Sequence, residues 1–308
     1  MASLFKLGTA IRGRFSTYSI VKELHRAADE GAVFLAINQD HKKCIFKSIR
    51  DNWRLQNEAD ILKRYQDQTP FLRPLLDEIT GPSDPPSIVL KHLDSDLLTE
   101  SNRKRLSRPE TKQGAKCVLE ALRVLHKDGL VHTDVKLDNI FVNYGQDQRF
   151  NAIQLGDCGG VVPEDSDFAK KGHLIGAGFT RSPEATFQLP WGTATDICLI
   201  YGGDYHLFNP GIEGLKPEDN VYELTVLKRT YKFFGPFPQS YDDFHDSETI
   251  TIIKLYQPPR PAREAIMKLD PRDRPTAEQL LADEWFTEES EDTRDPLPEK
   301  PRAQDDAH

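Results

Sequence analysis

His132-Thr133-Asp134-Val135-Lys136-Leu137-Asp138-Asn139, followed further on by Asp157-Cys158-Gly159, is the stretch that decides how this chain is read. An aspartate held in a turn can orient a hydroxyl and take up its proton, and Lys136 can steady the charge on a phosphoryl group in transit. Asn139 and Asp157 bring the oxygen ligands that Mg²⁺ needs around a nucleotide phosphate. The chemistry these groups share is phosphoryl transfer. A His-x-Asp triplet is common by chance, and taken alone the octet also fits a turn carrying a few solvated charges. The rest of the chain has to decide between them.

Residues 18 to 91 are strand-rich. Val33-Phe34-Leu35-Ala36-Ile37 and Cys44-Ile45-Phe46-Lys47-Ser48-Ile49 are apolar, β-prone runs joined by a polar turn over 38–43, a hairpin signal. Between them and Ile88-Val89-Leu90, the spacing of Leu55, Ala59 and Leu62 predicts a helix over roughly 53–65. From residue 107 the character changes. Ala115, Val118, Leu119, Leu122 and Leu125 mark a long amphipathic helix, opened by Ser107-Arg108-Pro109-Glu110 as a cap and first turn and closed near Gly129. The octet follows at once. The expected architecture is α+β and bilobal, with a small β-rich lobe (18–91), a larger helical lobe (94–286) and the chemistry near the join.

Both ends read differently from this body. Residues 1–17 are expected to be a lead-in to the first strand. The first 22 residues also lack acidic side chains and carry Lys6, Arg12, Arg14 and Lys22, which fits a mitochondrial transit peptide, but the alternation in Tyr18-Ser19-Ile20-Val21 favours an ordered lead-in. Residues 287–308 are acidic and Pro-rich, with few large apolar groups, and are expected to be disordered.

Lys plus Arg number 40 against 49 Asp plus Glu, a net charge of −9. That balance argues against a general nucleic-acid or anionic-membrane binder and favours basic partners. No apolar run approaches the length of a membrane span. The cysteines (Cys44, Cys117, Cys158, Cys198) are scattered without metal-type pairing, so a reducing, intracellular compartment, cytoplasmic or nuclear, is expected.

The octet and Asp157-Cys158-Gly159 resemble the H-R-D-L-x-x-x-N and D-F-G of the protein kinases, with Thr133 in place of Arg and Cys158 in place of Phe. Lys47, at a strand end in Cys-Ile-Phe-Lys, is similar to the V-A-I-K lysine, and Glu58 stands where the family's partner glutamate would. The resemblance implies ATP and Mg²⁺ as cofactors. Asp134, Lys136 and Asn139 would be catalytic, Asn139 and Asp157 would hold the metal, and Lys47 with Glu58 would hold the phosphates. The glycine-rich loop aligns with Arg26, Ala28, Gly31 and Val33, so only its last glycine survives. The adenine slot would have Val33 and Ile45 above, Phe141 below, Leu90 as gatekeeper and Lys91-His92-Leu93 as the hinge whose backbone pairs with the base. Arg181-Ser182-Pro183-Glu184-Ala185 is similar to the family's A-P-E, and Asp270-Pro271-Arg272-Asp273-Arg274-Pro275-Thr276-Ala277 to its D-P-x-x-R-x-S/T-A. Glu184 and Arg274 are therefore expected to form a buried structural pair. Small-molecule phosphotransferases share the acidic loop groups but not this pair.

Within the superfamily, the stretch from Arg181 to Asp196 resembles the serine/arginine-protein-kinase-like proteins of filamentous fungi. Tyr201–Pro210, Phe234–Pro238 and Asp283–Phe286 fit that group as well. The implied activity is transfer of the ATP γ-phosphate to Ser or Thr hydroxyls of a protein substrate, with Arg/Ser-rich segments as candidates. The sequence departs from the family in several places. Thr133 removes the arginine that reads an activation-loop phosphate, so the segment from Asp157 to Glu184 should order without phosphorylation. Ala177 stands where many Ser/Thr kinases have Thr. After Asp196-Ile197 the chain reaches Gly202-Gly203 about two turns too soon for the family's long buried helix, and the region after Tyr256 is short too. The alternative to an active enzyme is thus a catalytically impaired pseudokinase that serves as a binding or scaffold protein.

Overall fold

Five β-prone segments lay down the first layer. In the computed structural model, which describes residues 5–26, 31–49, 53–81, 85–176, 181–198, 210–216, 218–234 and 270–287, they form β1 (Ala10–Gly13), β2 (Thr17–Arg26), β3 (Ala32–Asn38), β4 (Lys43–Ser48) and β6 (Ser87–Lys91). Burial alternates along β1, β3 and the first half of β2 and is nearly continuous in β4 and β6. With β5 (Leu75–Gly81) they close into an antiparallel barrel in the order β1-β2-β3-β4-β6-β5. Phe34 and Phe46 face each other across the β3–β4 hairpin and meet Phe5 edge-on, and all three are buried with Ile11, Ile20 and Val89.

The segment expected to be a lead-in is therefore corrected, because it supplies a barrel strand and, in Phe5, part of the core. The sheet begins at Ala10 rather than at residue 18. Asp77 makes the closure. Its buried carboxylate accepts the backbone N–H groups of Arg14, Phe15 and Ser16 and the hydroxyl of Tyr18. A side chain on Gly13 would put its Cβ 2.3 Å from that carboxylate, so only glycine lets the strand approach.

Helix α1 (Trp53–Tyr65) lies beside the barrel and buries Leu55, Ala59 and Leu62 together with Glu58. The second lobe starts with β7 (Ser95–Asp96), α2 (Leu97–Arg103) and α3 (Arg108–His126). Ser107 and Glu110 form a reciprocal capping box at the head of α3, and Gly129 adopts φ +66° where the chain turns out of it. Then follow β8 (Leu130–Val131), β9 (Ile140–Tyr144), β10 (Phe150–Leu155), β11 (Val162–Pro163), α4 (Asp167–Lys170), α5 (Pro183–Thr186), α6 (Ala194–Ile197), α7 (Tyr222–Phe234) and α8 (Ala277–Leu281).

One apolar core runs from Ile45 and Leu90 in the barrel through Leu62 and Leu72 to Leu119, Leu122 and Leu155. It joins the lobes and carries the loops between them. The connection to β5 is pinned to the second lobe by Leu155 N–H to Phe71 C=O (2.7 Å) and Arg73 N–H to Leu155 C=O (2.8 Å). The arrangement is the bilobal α+β fold expected from the sequence. Among the described residues no helix is long and apolar enough to cross a membrane, and all four cysteines are free thiols. The expected shortening of the helix after Asp196 turns on residues 199–203, which lie outside the described residues, as do Ala177, the short region after Tyr256 and, from 288 on, the tail expected over 287–308.

Candidate active site

The site forms where four chain segments meet. Strand β4 delivers Lys47, α1 delivers Glu58, the loop between β8 and β9 delivers Asp134, Lys136 and Asn139, and the turn after β10 delivers Asp157. The Lys47 ammonium donates to Glu58 Oε2 and to Asp157 Oδ1, both at 2.8 Å. Burial opposes its charge, but the two carboxylates outweigh that and raise its pKa. Asp157 sits at φ +58°, a left-handed conformation that Asp tolerates better than most residues. Burial alone would lift its carboxyl. The Lys47 ammonium, with His132 and Lys136 at longer range, overrides this and holds it below the usual carboxylate range.

The catalytic-type loop is organised around Asn139. Its side-chain N–H₂ donates to the backbone C=O of Asp134 at 2.8 Å and to Asp134 Oδ2 at 3.0 Å. Lys136 Nζ lies 3.3 Å from the same Oδ2. Burial works against the Lys136 charge, yet Asp134 and Asp138 raise its pKa. Both partners thus crowd one oxygen of Asp134, which is only partly exposed, and neither contacts the other oxygen.

The donor set suits a hard divalent cation. With its nitrogen turned to Asp134, Asn139 presents its amide oxygen elsewhere, and Asp157 has its second oxygen beyond the Lys47 contact. A backbone bond from Gly156 N–H to Asn139 C=O (2.9 Å) ties Asn139 to the residue before Asp157. Two protein oxygens, with substrate phosphates and water completing the shell, is how Mg²⁺ is ordinarily held.

Behind the loop, Asp196 within the short helix α6 is fully buried. Its carboxylate accepts His132 N–H (2.7 Å), Thr133 N–H (3.0 Å) and the ring nitrogen of His126 (2.9 Å). Arg274 donates both terminal nitrogens to the Glu184 carboxylate (2.7 and 2.8 Å), and Nη1 also bonds Ala194 C=O beside Asp196. The protein kinase domain family matches residues 16–198, more than half of the chain, and spans every loop group above.

The chain belongs to the protein kinase domain family.

Among curated proteins it is similar to serine/threonine-protein kinase PAK 5 of Rattus norvegicus (26% identical over 63% of this chain and 24% of that protein). It is also similar to serine/threonine-protein kinase US3 of Human herpesvirus 1 (strain 17), at 30% over 54% of this chain and 34% of that protein. A third is serine/threonine-protein kinase PLK1 of Xenopus laevis, at 26% over 62% and 28%. The chain spans about a quarter to a third of the length of these relatives.

Of the residues read for the adenine slot, Ile45 and Leu90 pair across β4 and β6 and are buried, and Val33 packs against the same core. Phe141 lies on β9 against Gly156, where an added Cβ would come within 2.7 Å of the ring. Gly31 is buried just before β3, and the glycine-loop positions 27–30 lie outside the described residues.

Several contacts of the site escaped the sequence reading, including one made by Thr133, which there reads only as the replacement of an arginine. Asn57, one residue before Glu58, donates to the C=O groups of Gly159 and Val161 and so ties α1 to the segment after Asp157. Thr133, at φ +71°, bonds Gly160 C=O through its hydroxyl (3.0 Å). His126 and Arg73 carry no motif signature at all. Only the helical register of α3, which sets His126 beside the loop that follows, could have pointed to the first.

Proposed function

We propose that the chain is an ATP- and Mg²⁺-dependent protein serine/threonine kinase. The observation that supports this most is the double engagement of Lys47 with Glu58 and Asp157, because it joins strand, helix and metal-binding turn in the arrangement that phosphoryl transfer requires. Asp134 accepts the proton of the substrate hydroxyl through its unencumbered oxygen. Lys136 stabilises the equatorial phosphoryl oxygens during transfer, and Lys47, fixed by Glu58, steadies the α- and β-phosphates. Mg²⁺, held by Asn139 and Asp157, would supply charge neutralisation at the phosphates. Val33, Ile45, Leu90 and Phe141 border the base, and the Glu184–Arg274 pair keeps the helical lobe in register.

The kinase domain extends in this reading to about Phe286, because Arg274 lies beyond the family match. The likeness of Arg181–Asp196 to serine/arginine-type kinases makes an Arg/Ser-rich protein segment the substrate to try, which the net charge of −9 suits. Free thiols suit an intracellular, reducing setting. The test is incubation of the full chain with Mg-ATP labelled in its γ-phosphate and an arginine/serine peptide. Label is expected on the peptide's serines with the wild type and none with Asp134→Ala. Equal incorporation by both would sink the proposal.

A further inference from the structure

Arg73 is a buried cation that the kinase chemistry above does not use. It lies on the connection pinned to Leu155 and is 7% exposed. Its Nε donates to the backbone C=O of Lys91 at 2.8 Å, and its guanidinium carbon stands 4.2 Å from the centroid of the Phe141 ring. Its Cδ lies beside Gly156, 3.2 Å from where a Cβ there would be. Hinge, slot floor and the residue before Asp157 thus surround one guanidinium.

That charge has no ion-pair partner among the described residues, and the two carboxylates that act on it electrostatically, Glu58 and Asp157, are both bonded to Lys47. Burial lowers its pKa to about 10, with Glu58 and Asp157 opposing the shift, so it remains a cation at neutral pH. Its two terminal nitrogens bond no acceptor among the described residues. Neither is wholly sealed in, because among the described residues Gln154 Oε1 is the only fully buried side-chain polar atom without a partner. What the guanidinium touches is the Lys91 carbonyl at Nε and the Phe141 ring at Cζ, so the terminal nitrogens lie next to both.

On the proposed nucleotide reading, the base goes beside the same two residues. Guanidinium nitrogens only donate. The 6-amino group of adenine also donates, and it would share the Lys91 carbonyl with Arg73. A 6-oxo purine presents acceptors there instead, and arginine bonds O6 and N7 of such a base in a fork. Buried donors left without an acceptor discriminate strongly against the wrong ligand.

We infer that Arg73 determines base specificity, giving the site an affinity for 6-oxopurine triphosphates such as GTP that equals or exceeds its affinity for ATP. The inference rests on the nucleotide site proposed above, and the experiment separates the two. Dissociation constants are measured on the full chain for Mg-ATP, Mg-GTP and Mg-ITP, the last carrying the 6-oxo group without the 2-amino group of guanine.

The wild type is expected to bind GTP and ITP at least as tightly as ATP. Arg73→Val is expected to shift the ratio toward ATP by about tenfold or more. A wild type that prefers ATP over both, or a variant that weakens all three alike and leaves the ratio unchanged, overturns the inference and makes Arg73 a structural prop. Should Arg73→Val fail to fold, Arg73→Gln, whose amide can offer its oxygen to a 6-amino group, is expected to shift the ratio in the same direction. Lys47→Ala reports on the site itself. Loss of all three nucleotides in that variant upholds the nucleotide site. Binding that ignores Lys47, or no binding by any of the three, sinks that reading and the inference with it.

Discussion

Asp196→Asn is the substitution that probes how the catalytic-type loop is held. The carboxylate is fully buried and accepts three hydrogen bonds, two of them from the consecutive backbone N–H groups of His132 and Thr133. Asparagine keeps one oxygen and turns an N–H₂ group toward the other donor. One buried backbone N–H is then unpaired, at about 1–3 kcal/mol, and the surviving bonds lose their charge assistance, adding about 1 kcal/mol. A loss of roughly 2–4 kcal/mol lowers Tm by about 5–15 °C in a domain of this size and stays within the usual ~5–15 kcal/mol margin. The protein should stay folded at room temperature. The donors left in conflict lie just before Asp134, so displacement of the loop should also cut kcat by about 10–100-fold with the nucleotide Kd unchanged. Thermal melts and steady-state transfer rates read the two effects. A melt within about 1 °C of wild type together with unaltered kcat would refute the role given to Asp196.

The Glu184–Arg274 pair should behave as a buried bidentate pair does. Glu184→Ala removes the carboxylate that compensates the arginine's buried charge, which is expected to cost about 3–5 kcal/mol in urea denaturation, while Arg274→Lys, which cannot reproduce the fork, should fall between it and wild type. Thr133→Val deletes the hydroxyl bond to Gly160 C=O and should cost about 1 kcal/mol, whereas Thr133→Ser should stay near wild type. Glu100 gives a pH signature. Burial would raise its carboxyl, but hydrogen bonds from Ser95, Tyr144 and Arg149, and the Arg103 charge, hold it lower than usual, as Asp157 is held by Lys47. Such groups bind protons more readily when unfolded, so the stability they supply is complete above about pH 4–5 and drains away as pH falls through their lower folded values. Urea midpoints measured from pH 6 to pH 2 should therefore show a shallower acid limb in Glu100→Gln than in wild type.

The elements that could be read ahead were those whose residues carry their own periodicity or caps. Leu55, Ala59 and Leu62 placed α1, and Ser107 with Glu110 placed the head of α3, because a helix face and a capping box are local patterns. Strand β5 was missed because its buried residue is Asp77, a charge whose partners lie some sixty positions away in the loop it clasps. Strand β1 was missed because Arg12 and Gly13 mask a four-residue alternation. The loop and turn groups of the site were legible as a spacing of residue types. Arg73 was not, because an arginine before a proline reads as surface, and only the tertiary pairing of Leu72 with Leu155 carries it inward beneath the hinge. Asp196 showed itself as a helix start, but its grip on His132 and Thr133 depends on how α3, the loop and α6 are stacked.

The central claim is that Asp134 does chemistry in a site whose nucleotide is held by other groups. Asp134→Asn tests it most directly, since asparagine can still accept from Asn139 and Lys136 but is a far weaker base. Nucleotide Kd and the rate of γ-phosphate transfer to peptide serine are measured on the same preparation. The expected result is a Kd within about twofold of wild type and a transfer rate lower by about 10²–10⁴-fold. Transfer at the wild-type rate would contradict the account.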